Sequence, residues 1–119
     1  MTSNLRTEIE LRQVYDKIVS FTRTTTGNTA ETVLDVSDYM EEANRISLVC
    51  EVQPLYVRFD GTAASATGEA GTSNNTILSL YLGAGSTYTE SNIKVSGIIS
   101  IIVATGGNNG RIRGTIWGR

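Results

Sequence analysis

Arg111, Arg113, Trp117 and Arg119 crowd into the last nine residues, "RIRGTIWGR". Guanidinium groups beside an aromatic ring can hold single-stranded nucleic acid or a sugar by stacking and charge. The same residue types make the anchors of protein interfaces. Other chemistry is hard to assemble from this chain. It contains no histidine, which removes the commonest general base and metal ligand. Lys17 and Lys94 show no Ser-x-x-Lys spacing, so no activated nucleophile is expected. Asp60 and Glu69 flank a small-residue loop with Glu51 nearby, but they read as solvated loop charges rather than a glycosidase pair.

Asp35, Asp38, Glu41 and Glu42 cluster in "DVSDYMEE" without the Asp-x-Asp-x-Asp-Gly pattern of a calcium loop. Asp38 with Glu41 three residues on fits a helix capping box instead. Neither "GTAASATGEAG" nor "GGNNG" leads into a helix, so neither is a phosphate cradle. The expectation is no enzyme, no metal and no cofactor.

These residues must be positioned by strands. Thr, Ser, Gly and Asn make up roughly 40% of the 119 residues, a composition of short strands and turns. The length suits one domain. "KIVSFTRTT" alternates, with Val19 and Phe21 on one side. In "RISLVCEV", Leu48, Cys50 and Val52 share a face, and Cys50 reads as a buried thiol. In "LYVRFD", Val57 and Phe59 share a face, and Pro54 marks a break. "IKVSGIISIIVAT" reads as a central strand, apolar on both faces. "GGNNG" then turns it into "RIRGTIWGR", so these last two strands read as a hairpin with Ile112 and Ile116 inward.

About seven or eight short strands without helical crossovers between the later ones predict an all-β, antiparallel β-sandwich, jelly-roll-like or immunoglobulin-like. A sandwich domain is expected over 20–119. Residues 1–19 are expected to form an arm or a short helix, because Leu11, Val14, Tyr15 and Ile18 recur at helical spacing within Asn4–Val19. The net charge of −2 gives no general pull toward nucleic acid or anionic membrane. "GIISIIVA" is too short to span a bilayer, and the N-terminus lacks the apolar core of a secretory signal.

The strand-plus-loop "LYVRFDGTAASATG" and the ending "IKVSGIISIIVATGGNNGRIRGTIWGR" resemble small virion proteins of tailed bacteriophages, over about half the chain. The resemblance implies a capsid decoration or cement protein, located in the virion and assembled in the host cytoplasm. Such a protein binds the major capsid protein and self-associates, frequently as a homotrimer, without direct contact to nucleic acid or membrane. A head-tail connector, tail or fibre-attachment component is the alternative. A carbohydrate-binding module with Trp117, Tyr81 and Tyr88 as stacking platforms is a further one. The contact residues expected are Leu5, Ile9 and Arg12 in the N-terminal segment, Thr62, Ala63 and Gly68 in the small-residue loop, and Arg111, Arg113 and Trp117 in the last strand. Gly, Ala, Ser and Thr lose little side-chain entropy when such a loop is ordered on assembly.

Overall fold

A computed structural model describes residues 16–25, 29–66, 78–104 and 109–119. Eight strands run β1 (Lys17–Thr24), β2 (Glu31–Asp35), β3 (Ala43–Glu51), β4 (Leu55–Arg58), β5 (Leu80–Leu82), β6 (Thr87–Val95), β7 (Ile98–Val103) and β8 (Arg111–Gly118). They form two four-stranded sheets, ordered β1-β8-β3-β6 and β2-β7-β4-β5, with every neighbouring pair antiparallel. The order has a simple origin. One long hairpin would pair β1 with β8, β2 with β7, β3 with β6 and β4 with β5, and all four pairs are present. Rolling that hairpin up adds β3·β8 and β4·β7. This is the jelly roll, and it decides between the two sandwich types expected.

Period-two alternation builds the core. On β3, Ile46, Leu48 and Cys50 are fully buried while Arg45, Ser47, Val49 and Glu51 face out. On β8, Ile112 and Ile116 are fully buried. From the second sheet come Leu55, Val57, Ile99, Ile101 and Val103. The Cys50 thiol donates to the carbonyls of Gln53 (3.1 Å) and Leu82 (3.5 Å). Burial, and secondarily the Glu51 charge, push its pKa above the ordinary thiol value, so it stays protonated and inert.

Several expectations need correction. β1 begins at Lys17, so Lys17, Ile18 and Val19 are strand rather than helix, and the sheet starts ahead of the expected boundary at Ser20. The rest of the helix-or-arm segment lies outside the described residues. β7 and β8 are not a hairpin, because they belong to different sheets. "IKVSGIISIIVAT" is not one strand. It breaks at Ser96-Gly97, where β6 leaves one sheet and β7 enters the other. The capping residue is Asp35, not Asp38. Its carboxylate accepts from the Ser37 amide (3.0 Å) and hydroxyl (2.7 Å), opening a 3-10 turn over Val36–Asp38.

Val52 leaves the core face it was expected to share with Leu48 and Cys50. It is 62% exposed, and its φ is +74°. The Gln53 amide donates to the Glu51 carbonyl at 2.9 Å. Together these describe a γ-turn of the strained, positive-φ form, where a β-branched residue is least welcome. Val52→Asn is therefore expected to stabilise the protein by about 1 kcal/mol, raising the melting midpoint by about 4 °C. A lower midpoint would show that the turn stores no strain.

Candidate functional site

The outer face of the β1-β8-β3-β6 sheet carries the chemistry noticed in the last strand. β8 lies between β1 and β3, so its outward residues are flanked on both sides. Strand register sorts the face into cross-strand rows. One row runs Ile18, Trp117, Arg45, Ser91. The next is Ser20, Thr115, Ser47, Thr89, a line of hydroxyls across all four strands. Then come Thr22, Arg113, Val49, Thr87, and finally Thr24, Arg111, Glu51.

Each row has its own physics. The Arg45 guanidinium sits over the Trp117 ring, 4.9 Å from its centroid, and Ile18 on the other side is 62% exposed. This is a cation–π pair across the two central strands, close to the end of β8. The Arg45 Nε is buried and has no hydrogen-bond partner among the described residues. In the hydroxyl row, Ser20 and Thr115 lie 3.0 Å apart, and Ser47 and Thr89 lie 3.1 Å apart. At the far end, Glu51 holds two guanidiniums. Arg111 donates from Nη2 (2.6 Å) and Nε (3.1 Å) to Oε2, and Arg113 Nε approaches Oε1 at 2.7 Å. The Arg113 side chain is 60% exposed, so this cluster is solvated and contributes little to stability. What it does is fix the directions in which two positive groups point. Between the rows, Ser20, Ser47, Val49, Arg113 and Thr115 line an open recess of ≈ 270 Å³.

The structure thus brings Arg111, Arg113 and Trp117 onto one face, as expected. It does not bring Thr62 and Ala63 to them. Those residues follow β4, in the other sheet. The loop there folds over the outside of its own sheet, where the Ala64 amide donates to Ser100 Oγ at 2.9 Å and both residues are buried. Leu5, Ile9, Arg12 and Gly68 lie outside the described residues. The described chain begins at Asp16, at the same end of the roll as Thr62 and Ala63. An open, polar cleft of ≈ 540 Å³ lies at that end, lined in part by Asp16, Lys17, Tyr39 and Arg119.

Arg45 and the hydroxyl row escaped sequence reading. The outward alternation of "RISLVCE" marks them, but only the pairing with β8 shows that they join Trp117 and Thr115.

The carboxylates considered for catalysis are separated. Glu51 is on the first sheet with its two arginines. Asp60 follows the second, where Arg58 Nε donates at 2.8 Å and the Thr62 amide at 3.1 Å. The Arg58 hydrogen bond holds the Asp60 carboxyl below the usual carboxylate range. Glu69 lies outside the described residues. Among the described residues, no three His, Cys, Asp or Glu side chains gather as metal ligands. The described interior is mostly aliphatic, with the Cys50 thiol, the Met40 thioether and the hydroxyls of Thr25 and Ser100 besides. The aromatic residues considered as sugar platforms do not share a surface. Trp117 is on the first sheet, and Tyr81 packs edge-on against Tyr56 on the second, with ring centroids 5.3 Å apart. Tyr88 packs against the core. No helix among the described residues is long and apolar enough to cross a membrane.

No protein-family model matches the chain, and no curated sequence matches it. Solved structures do share its fold. A helix-turn-helix family transcriptional regulator from Vibrio cholerae aligns with a TM-score of 0.50 at 8% identity, over 86% of this chain and 43% of that one. Oxalate oxidase aligns with a TM-score of 0.50 at 11% identity, over 85% and 42%. The Cnp3 cupin domain of Schizosaccharomyces pombe gives 0.49 at 9% identity, over 87% and 55%. The chain therefore spans roughly half the length of these structures, and at such identities the likeness is one of fold.

Proposed function

We propose that this chain is a structural virion protein that stabilises a capsid shell as a decoration or cement protein. It docks through the outer face of the β1-β8-β3-β6 sheet. The observation that carries the docking surface is the Ile18–Trp117–Arg45 row. It presents an exposed apolar residue, an indole and a guanidinium side by side, with oriented Arg111 and Arg113 at the far end of the same face. Trp and Arg are the residues that dominate interface energetics when desolvated. The virion assignment is supported by the resemblance over 55–68 and 93–119. The jelly roll is in keeping with it, being an architecture used by capsid proteins among many others.

The test has two parts. Purified virions are expected to contain this protein at an abundance comparable to the capsid subunit. A handful of copies would move it to the connector, tail or fibre, and complete absence would end the virion reading. Trp117→Ala, with its fold checked by circular dichroism, is expected to bind shells about 100-fold more weakly. Unchanged binding by that variant would place the docking surface elsewhere.

A further inference from the structure

The two sheets have four edge strands, and three of them are blunted. β2 carries a register shift between Thr32 and Leu34. β5 is three residues long. β6 carries Asn92 at φ +65° with Glu90 and Lys94 along it, and its pairing with β3 slips between Ala43 and Arg45. These are the usual protections of a sheet edge against strand addition. β1 carries two charged residues, Lys17 and Arg23, but it is neither short nor bulged and has no positive-φ residue. Its eight residues run in unbroken register with β8 from Lys17↔Gly118 to Thr24↔Arg111, it lacks proline, and it is exposed along nearly its whole length. Among the described residues, no strand pairs with its outer side.

The geometry points to β1 as a strand-addition edge occupied by a second copy of this chain, antiparallel about a two-fold axis at Phe21. Self-complementarity argues for that occupant. With Phe21 opposite the partner's Phe21, Ser20 faces the partner's Thr22 and Ile18 faces the partner's Thr24. Val19 faces the partner's Arg23, and Lys17 faces the partner's Thr25. Hydroxyl meets hydroxyl, aromatic meets aromatic, and no like charges oppose each other. Shifting the axis to Ser20 would set Lys17 against the partner's Arg23, which disfavours that register. The flank also suits a symmetric contact. Arg23 of β1 is bonded to Glu31 of β2 at 2.7 Å, so both sheets present a neutralised charge pair beside the axis. The pairing would join two four-stranded sheets into one of eight strands, with the hydroxyl row of each copy meeting Thr22 of the other.

Two variants test this without any shell, so the outcome is independent of the virion reading. Ser20→Lys/Thr22→Lys sets lysine against lysine at two symmetric places, on exposed positions that leave the core alone. Sedimentation equilibrium at about 100 µM is expected to give twice the chain mass for the native protein and the chain mass for the variant. The dimer dissociation constant should rise about 10–100-fold. Ser20→Cys/Thr22→Cys is expected to form an intermolecular disulfide on mild oxidation, since paired antiparallel residues lie within disulfide reach. Native protein that is monomeric or trimeric would overturn the inference, as would a dimer that the lysines do not weaken or the cysteines do not cross-link.

Discussion

Gly114→Ala is expected to lower the melting midpoint by about 10 °C, a loss of roughly 2–3 kcal/mol. Gly114 lies in the middle of β8, opposite Phe21 of β1 and Leu48 of β3. A Cβ there would come within 2.6 Å of Phe21 Cζ and 2.8 Å of both Leu48 Cδ2 and the Ser47 carbonyl oxygen. The Phe21 ring tip can swing aside, at the expense of its packing. The Ser47 oxygen cannot, because it belongs to the backbone of the adjoining strand. Relief therefore requires the two strands to part, and the whole sheet depends on that ladder. Gly83→Ala is the control, since its Cβ would meet nothing within 4 Å. A midpoint for Gly114→Ala that matches this control would show that the interior is loosely filled above β8.

Ile116→Ala is expected to cost about 3–4 kcal/mol, and Ile116→Val about 1 kcal/mol. Ile116 is fully buried, and its register partners are Val19 on β1 and Ile46 on β3. It packs in the cluster to which both sheets contribute. Removing three carbons there leaves a cavity that rigid strands on both sides cannot collapse into. A domain of this size has only about 5–15 kcal/mol of stability to lose. Urea titration should move the midpoint with an unchanged slope. A loss below about 1 kcal/mol for the alanine variant would mean that the strands close over the gap.

The strands themselves were legible where alternation was strict. Leu48 and Cys50, Val57 and Phe59, and Ile112 and Ile116 all announce their inner faces by period two, and all point to the core or its border. What alternation cannot say is which sheet a strand joins. "GGNNG" looks the same whether it closes a hairpin or carries the chain across a sandwich. Ser96-Gly97 is too slight a signal to reveal a change of sheet. Val52 continues the pattern of β3 on paper, but the turn that ends β3 is a backbone event with no mark in side-chain polarity. Likewise, Arg111, Arg113 and Trp117 were visible as a group because they share one strand. Arg45, Ser20, Ser47 and Thr89 reach that group only through pairing across as many as 95 residues of sequence.

The rolled hairpin also governs how the molecule can form. β8 is the strand that both β1 and β3 bond to, and β1 and β3 have no ladder with each other. A growing chain that has emerged through β7 therefore has its second sheet available but only the β3·β6 pair of its first. Its earliest described strand must wait, unpaired, for the last one. Closing that span costs chain entropy before any contact is gained, and domains with such non-local pairing fold on a scale of about milliseconds to seconds. During synthesis, the exposed β1 segment of one nascent chain is thus closest in kind to the β1 segments of its neighbours on the same message.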